Sequence, residues 1–178
     1  MFFHEIETYR LLLKNISYED RSFILKHFSN DYVNRYLFDA EPLKTLEEAD
    51  EIIDFYLQPE PRMQHRWILT LKTNHTKIGT CGFHCWDTTK HCVDIGYDLQ
   101  EDYLGQGFMN EALSAILDFA KNEMMVNQVH AHIYIDNFKS IRIAERFGFH
   151  HDGETEMCLY QNQPYLHKIY TLDYPSLG

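Results

Sequence analysis

The sequence has no basic run, and its 16 Lys and Arg stand against 27 Asp and Glu for a net charge of −11. Such an acidic chain lacks the electrostatic footprint that dominates nucleic-acid affinity, which argues against DNA or RNA as a direct ligand. Nothing in it approaches the ~18 consecutive apolar residues of a membrane span. Its start, MFFHEIETYR, places charged residues directly after two Phe, so it offers no apolar stretch of signal-peptide length. The expectation is a cytoplasmic protein with no membrane attachment. Its four cysteines, Cys81, Cys85, Cys92 and Cys158, are then expected to be reduced thiols. Internal repeats, low-complexity tracts and linkers are also missing. What remains is 178 residues, 44% hydrophobic and 24% charged, which reads as one folded domain over 1–178.

Periodicity supplies the elements. Glu7 to Ile16 is β-like. Ser17 with Asp20 is a capping signal for a helix through about Phe28, and Thr45 with Glu48 is a fuller capping box for a helix that should reach Gln58. From Arg66 to Leu99 the pattern becomes a three-strand meander with turns at Thr73-Asn74-His75 and at Asp87 to Lys90. In its third strand Val93, Ile95, Tyr97 and Leu99 alternate with Cys92, Asp94, Gly96 and Asp98. One face is therefore apolar, and the other, with carboxylates and a glycine, is where chemistry could sit.

Asp102-Tyr103-Leu104-Gly105-Gln106-Gly107-Phe108-Met109 follows, then a helix to about Glu123 with Asn110, Ser114, Asp118 and Lys121 on a polar stripe. Strand, glycine loop and buried helix in that order bring backbone N–H groups and the positive end of the helix dipole to one point, where an anion is favoured. Glycine at 105 and 107 permits a nest of amides around a diphosphate. No Gly-Lys-Ser/Thr follows, so this is not a nucleotide P-loop. The third glycine of a dinucleotide fingerprint is missing too. A strand over 128–135 and a short helix SIRIAERF stopped at Gly148 repeat the strand-to-helix joint, with Asn137 and Ser140 at it. The strands ending at Leu99 and Ile135 should be parallel neighbours that frame a cleft at their C-terminal ends.

Taken together, Glu7-Thr8-Tyr9-Arg10-Leu11, Ile95-Gly96-Tyr97, Leu104 to Ala112, Asn137 to Ser140 and Phe147-Gly148-Phe149 resemble the GNAT superfamily of N-acetyltransferases, and within it the ribosomal-protein alanine N-acetyltransferase (RimJ/RimL-like) group. The resemblance covers nearly the whole chain. It implies an α+β, three-layer α/β/α fold with a mixed, mostly antiparallel sheet and a splayed parallel strand pair. It implies acetyl-CoA as co-substrate, no metal, and a primary-amine acceptor that is a small molecule or a protein N-terminus. The pyrophosphate would lie on the backbone of residues 103–108 and the pantetheine arm along Tyr97, Asp98 and Leu99. The cofactor-binding set is then Tyr97, Asp98, Leu99, Leu104, Gly105, Gln106, Gly107, Phe108, Asn137 and Ser140. The superfamily usually has Gln or Arg where this chain has Asp102.

Direct acetyl transfer needs a base for the amine, a donor for the carbonyl oxygen and an acid for the departing sulfur. A backbone N–H between Tyr97 and Leu99 suits the oxygen, and Ser140 is the family-matched acid, with Asn137 either orienting the carrier or simply capping its helix. Asp94 matches the acidic position before Gly-Tyr and is the candidate base, with His84 as the alternative. Glu111, in the first helical turn, suits a structural role against the dipole. Cys81 and Cys85 lie on one face of a strand, ~13 Å apart at ~3.3 Å per residue, too far for one zinc ion. Tyr103 and Phe108 read as packing. Residues 31–43 and a C-terminal hairpin, with exposed aromatics, His167 and a Gln161 to Pro164 loop, would wall the acceptor site. The chain would be a monomer or homodimer. A small-molecule or antibiotic acetyltransferase and a non-catalytic acyl-CoA sensor are the competing readings.

Overall fold

The computed structural model describes residues 2–175. Eight strands form one sheet: β1 (Ile6–Glu7), β2 (Leu11–Asn15), β3 (His65–Leu71), β4 (Lys77–Asp87), β5 (Cys92–Leu99), β6 (Gln128–Tyr134), β7 (Thr155–Tyr160) and β8 (Gln163–Asp173). Their order across the sheet is β1-β2-β3-β4-β5-β6-β8-β7. Every neighbouring pair is antiparallel except β5 with β6. The helices are α1 (Arg21–Phe28), α2 (Asp31–Asn34), α3 (Leu46–Tyr56), α4 (Phe108–Asn122) and α5 (Phe138–Arg146). This is the three-layer α+β arrangement expected. Among the described residues no helix is long and apolar enough to cross a membrane.

Strand alternation divides the sheet into two faces. Leu11, Leu13, Trp67, Leu69, Cys81, Phe83, Val93 and Ile95 bury one face against α4, with Ala112, Leu113, Ile116 and Ala120 fully or almost fully enclosed. Partly buried Ile141 and Ile143 of α5 pack against the same cluster. Ile16 and Ile68 bury the other face against Ile24 of α1 and Ala49 and Ile53 of α3. That second face also carries Arg66, Thr80, Asp94 and Asp98, as the alternation in the third meander strand anticipated. The Thr45 box forms, with Glu48 N–H donating to Thr45 Oγ1 at 3.2 Å and Thr45 N–H to Glu48 Oε2 at 3.2 Å.

Several boundaries differ from the sequence reading. The strand over 7–16 is broken, because Thr8 to Arg10 turn between β1 and β2. The first helix starts as a 3-10 turn, Tyr18–Asp20, the third helix stops at Tyr56, and α2 is a turn of helix that its polar cap Asn30 starts by accepting from Tyr32 and Val33 N–H. The C-terminal loop is two residues long: Gln161 and Asn162 both have positive φ (49° and 60°), the geometry of a type I′ hairpin turn, so Gln163 and Pro164 are already paired with Tyr160 and Leu159. Cys81 and Cys85 do not share a face. A bulge between His84 and Asp87, with Cys85 at φ 51°, reverses the alternation, burying Cys81 in the core and exposing Cys85. His167 is buried rather than exposed.

Buried His65 on β3 stacks on Phe3 with ring centroids 4.5 Å apart. Its Nε2 lies 2.9 Å from Asn15 Oδ1, and its Nδ1 accepts from Arg62 Nη2 at 2.9 Å, so the ring is neutral with its proton on Nε2. Burial, helped by Arg62, pushes its pKa down to about 3. The unfolded chain takes up that proton near the ordinary value of 6.5, so the stabilisation is complete above pH 6.5 and is lost as pH falls toward 3. At about 1.4 kcal/mol per pH unit this one ring costs about 2 kcal/mol at pH 5. Urea unfolding at pH 7 and pH 5 should show that loss, and His65→Gln should remove it while leaving the rest of the pH dependence in place.

Candidate active site

β5 and β6 pair only from Cys92–Gln128 to Asp94–His130 and then part, although β5 continues to Leu99 and β6 to Tyr134. Beyond Asp94 the edge of β5 that faced β6 has no strand beside it, and alternate backbone groups there are turned into an opening. Two cavities meet at this opening. A smaller one of about 320 Å³ is lined by Tyr97, Asp98, Leu99, Leu104 and Met109 on one side and Asn137, Phe138, Lys139 and Ser140 on the other, with Tyr32 and Arg35 of the α2 segment over it. A larger one of about 830 Å³ lies on the α1/α3 face and is lined by Asp94, Gly96, His84, Arg66, Tyr56 and residues 39–44. Leu37, Tyr97 and Asp98 line both.

The glycine loop leads into α4. Gly105 and Gly107 have φ of 71° and 80°, in the left-handed region open to glycine, and Gly107 is the N-cap. The first bond into the helix is Glu111 N–H to Gly107 O, so the N–H groups of Phe108, Met109 and Asn110 have no intrahelical acceptor, and among the described residues no side chain caps them. Fifteen residues of helix dipole end on these amides. Arg35 and Lys139 of the smaller cavity lie 5.4 and 5.2 Å from the Tyr32 ring centroid, adding two cations. Free amides, a left-handed loop and nearby cations fit the diphosphate of a CoA carrier. Asp102, the departure from the usual pattern, is exposed, and only its backbone carbonyl engages the loop, accepting from Gln106 Nε2 at 3.0 Å.

Residues at the start of the chain hold the loop. Glu111 accepts from Thr8 Oγ1, Arg10 N–H and Arg10 Nε, each at 2.6 Å, while Arg10 Nη1 donates to Gln106 O at 2.8 Å. The Arg10 guanidinium also lies 4.3 Å from the Phe108 ring centroid. Burial opposes ionisation of Glu111, and these donors overcome it and hold its carboxyl below the ordinary range. Glu111 is structural, as its place in the first turn suggested. Tyr103 and Phe108 pack edge to face at 6.3 Å, and Phe108 is buried, so only its backbone is available to a ligand.

Asp98 sits beneath the junction of the cavities. Its Oδ1 is 2.5 Å from His27 Nε2, its Oδ2 accepts from Arg66 Nη1 at 3.1 Å, and Thr80 donates through N–H and Oγ1. Burial opposes its charge, but His27, Arg66 and Thr80 hold its pKa below the usual carboxylate value. The Asp98 side chain therefore braces β5 against β4 and α1. Sequence reasoning placed Asp98 on the polar face but had no signal for His27 or Arg66, which lie 71 and 32 positions away.

Of the two candidate bases, His84 is the more buried and lies against a cation. Its Nε2 is 3.3 Å from Arg66 Nη2, a pure donor, and burial together with that guanidinium lowers its pKa to about 4. Asp94 lines the larger cavity and Ser140 the smaller, so the structure puts the two on opposite sides of Tyr97. Tyr97 Oη donates to Ser140 O at 3.2 Å, and burial raises its pKa. Asn137 caps α5, its side chain accepting from Ser140 N–H at 3.3 Å. No hydrogen bond joins the Ser140 hydroxyl to another described residue. The C-terminal hairpin does not line the larger cavity. Its tip instead props the rim, with Tyr160 Oη and Gln161 Nε2 donating to Glu41 at 3.1 and 2.9 Å.

A model of the acetyltransferase (GNAT) domain matches residues 10–150. The chain belongs to the GNAT acetyltransferase family. It is therefore an acetyl-CoA-dependent acetyltransferase. The uncharacterized N-acetyltransferase YoaA of Bacillus subtilis (strain 168) is 29% identical over 172 residues, 96% of this chain and 97% of that protein. The uncharacterized N-acetyltransferase p20 of Bacillus licheniformis is 27% identical over 82% of each chain. Among solved structures, RimL, a ribosomal L7/L12 alpha-N-protein acetyltransferase in complex with coenzyme A, superposes with a TM-score of 0.85 at 17% identity, covering 95% of this chain and 97% of that one. Spermidine N-acetyltransferase from Vibrio cholerae, in complex with CoA and spermine, gives 0.81 at 18% identity over 92% and 95%. These structural likenesses establish the GNAT fold.

A Cβ on Gly107 would lie 3.4 Å from Arg10 Nη2 while forcing an L side chain to φ 80°. Gly107→Ala should therefore weaken CoA binding roughly tenfold, a loss of about 1.4 kcal/mol, when measured by titration calorimetry.

Proposed function

We propose that this GNAT domain, spanning 1–178, transfers acetyl to a primary amine carried by a cationic acceptor, by direct attack. The observation that carries this reading is the charge of the larger cavity. Asp39, Glu41, Glu48, Glu51 and Asp94 line it, while its cations are Lys44, a His132 held between Asp94 and Glu156, and an Arg66 already paired with Asp98. A wall of carboxylates raises the local concentration of an ammonium and orients it, and Phe28, Phe55 and Tyr56 supply apolar surface for an alkyl chain.

Acetyl-CoA, when bound, supplies the thioester carbonyl that the amine attacks and the thiol that leaves. The loop amides over 105–110 and the cations of Arg35 and Lys139 would hold its phosphates, and the unpaired edge of β5 from Tyr97 to Leu99 would take the pantetheine arm and offer an N–H to the carbonyl oxygen. Leu104 and Asn137 would flank the arm, with Gln106 and Phe108 contributing main chain only. Asp94 would orient the ammonium and take its proton. Ser140 would give a proton to the departing sulfur from the opposite side. No cysteine lines either cavity, which favours direct transfer over a covalent acyl-enzyme.

The RimJ/RimL-like grouping, and a basic protein N-terminus as acceptor, rests on the motif residues from Leu104 to Ala112 and Asn137 to Ser140. The acid-lined cavity accepts that reading and equally a polyamine-like small molecule, the class named for the Vibrio cholerae neighbour. Cytoplasmic localisation and a monomeric or homodimeric state complete the proposal.

A turnover assay reading free CoA, run on polyamines, basic N-terminal peptides and acidic N-terminal peptides, tests the charge argument. Cationic acceptors should exceed acidic ones by at least about tenfold in kcat/KM, with the advantage shrinking as salt screens the cavity. Acetyl-CoA binding without turnover on any amine would mean a sensor. Ser140→Ala and Asp94→Asn should each lower kcat at least about tenfold with CoA affinity nearly unchanged. A rate within twofold of the wild type would remove the substituted residue from its role.

A further inference from the structure

Where β5 and β6 part, three ionisable side chains form a row leading out of the larger cavity. Asp94 is the last β5 residue paired with β6. His132 stands two residues past His130, on the same side of β6, and lines the cavity beside Asp94. Its Nε2 is 3.7 Å from Asp94 Oδ2, and its Nδ1 is 2.7 Å from Oε2 of Glu156 on β7. Glu156 is exposed and is not part of the cavity lining. One ring nitrogen thus faces the acceptor site and the other faces a carboxylate in water.

Resting on the reading that this cavity takes an amine, we propose that Asp94, His132 and Glu156 form the proton exit for the acceptor ammonium, with His132 the proton acceptor behind Asp94. The ammonium N–H gives its proton to Asp94 Oδ2. Asp94 passes a proton to Nε2 of neutral His132, whose Nδ1–H already donates to Glu156. The imidazolium then releases its Nδ1 proton through Glu156 to water. One proton leaves per ammonium consumed, and nothing is oxidised or reduced.

A carboxylate alone is a poor match for this task, because its ordinary pKa lies ~6 units below that of an alkylammonium. An imidazole held between two carboxylates closes most of the gap. The 3.7 Å contact with the Asp94 carboxylate raises the His132 pKa most, burial opposes it and Glu156 adds to the rise, bringing it to about 9. The other groups around the ring do not replace it. His84, opposite Asp94 on β4, is held neutral by burial and by Arg66, and the Cys85 thiol in the β4 bulge is pushed up by burial and by Asp94. β8 presents uncharged Ile169 to His132, and the α3 carboxylates Glu48 and Glu51 share the same cavity.

This role has a sign that a structural one lacks. His132 accepts a proton only when neutral, so kcat/KM climbs with pH through its titration. Glu156→Gln removes one of the two anions that favour the imidazolium. The limb then moves to lower pH, and the neutral fraction at pH 7.5 rises. A Glu156 that merely holds β7 in place would lower the rate at every pH and leave the limb where it was.

The test uses the full chain, with Glu156→Gln and His132→Asn, two acceptor amines of different pKa, and NMR titration of the His132 ring in the absence of acetyl-CoA, assigned by its loss in His132→Asn. Expected are a ring titration near 9 that falls at least about half a unit in Glu156→Gln, a rate limb that moves with it and ignores the amine pKa, and a drop in kcat of at least about tenfold in His132→Asn. A limb that tracks the amine, or that stays put in Glu156→Gln while the ring titration moves, overturns the proposal. Turnover with an unmoved limb sinks the proton exit alone. No turnover on any amine sinks the acceptor reading and this proposal with it.

Discussion

The site depends on one interruption in an otherwise continuous hydrogen-bonded sheet. β5 and β6 run side by side for three residue pairs and then diverge, so the far edge of β5 keeps polar backbone groups that no strand satisfies. Closing the gap would pair those groups and erase both cavities at once. What keeps it open is packing on either side. α4 and α5 bury the apolar face under the sheet, and Tyr97 spans the wedge to the Ser140 carbonyl. The glycine loop, the two cavities and the row from Asp94 to Glu156 all converge on this one parting.

Electrostatics divides the opening into two unlike halves. At the smaller cavity free amides, Arg35 and Lys139 favour anions, while at the larger one five carboxylates favour cations. Between them Asp98 is paired with Arg66 and bonded to the His27 ring. Anionic and cationic groups are thereby favoured at opposite ends of one passage.

How much of this was written locally in the chain varies by residue. The alternation from Cys92 to Leu99, the glycines at 105 and 107 and the cap at Asn137 all depend on neighbours a few positions away, and each has the structure its spacing implies. The antiparallel meander and the parallel pair followed from the same periodicity. Arg66, His27 and His132 were not found, because what makes them matter lies tens of residues off and only the sheet register brings it near. The Cys85 bulge was missed for another reason: a non-glycine residue at φ 51° leaves no mark in the hydrophobic pattern. The hairpin tip was misjudged by two residues because Gln161-Asn162 is an uncommon pair for a turn that usually uses glycine.

The clamp of Thr8 and Arg10 on Glu111 has a consequence for the order in which the molecule is assembled. Its partners are 103 and 101 residues apart in the chain, so closing it spans more than half of the sequence. Contacts of that separation form late, after local helices and the meander have reduced the cost of bringing the ends together. During synthesis the residues up to Arg10 emerge first and must wait for α4 before the nest of amides gains its rigid frame. The glycine loop thus gains its rigid frame near the end of folding, and a partly folded chain with an intact meander would still lack it.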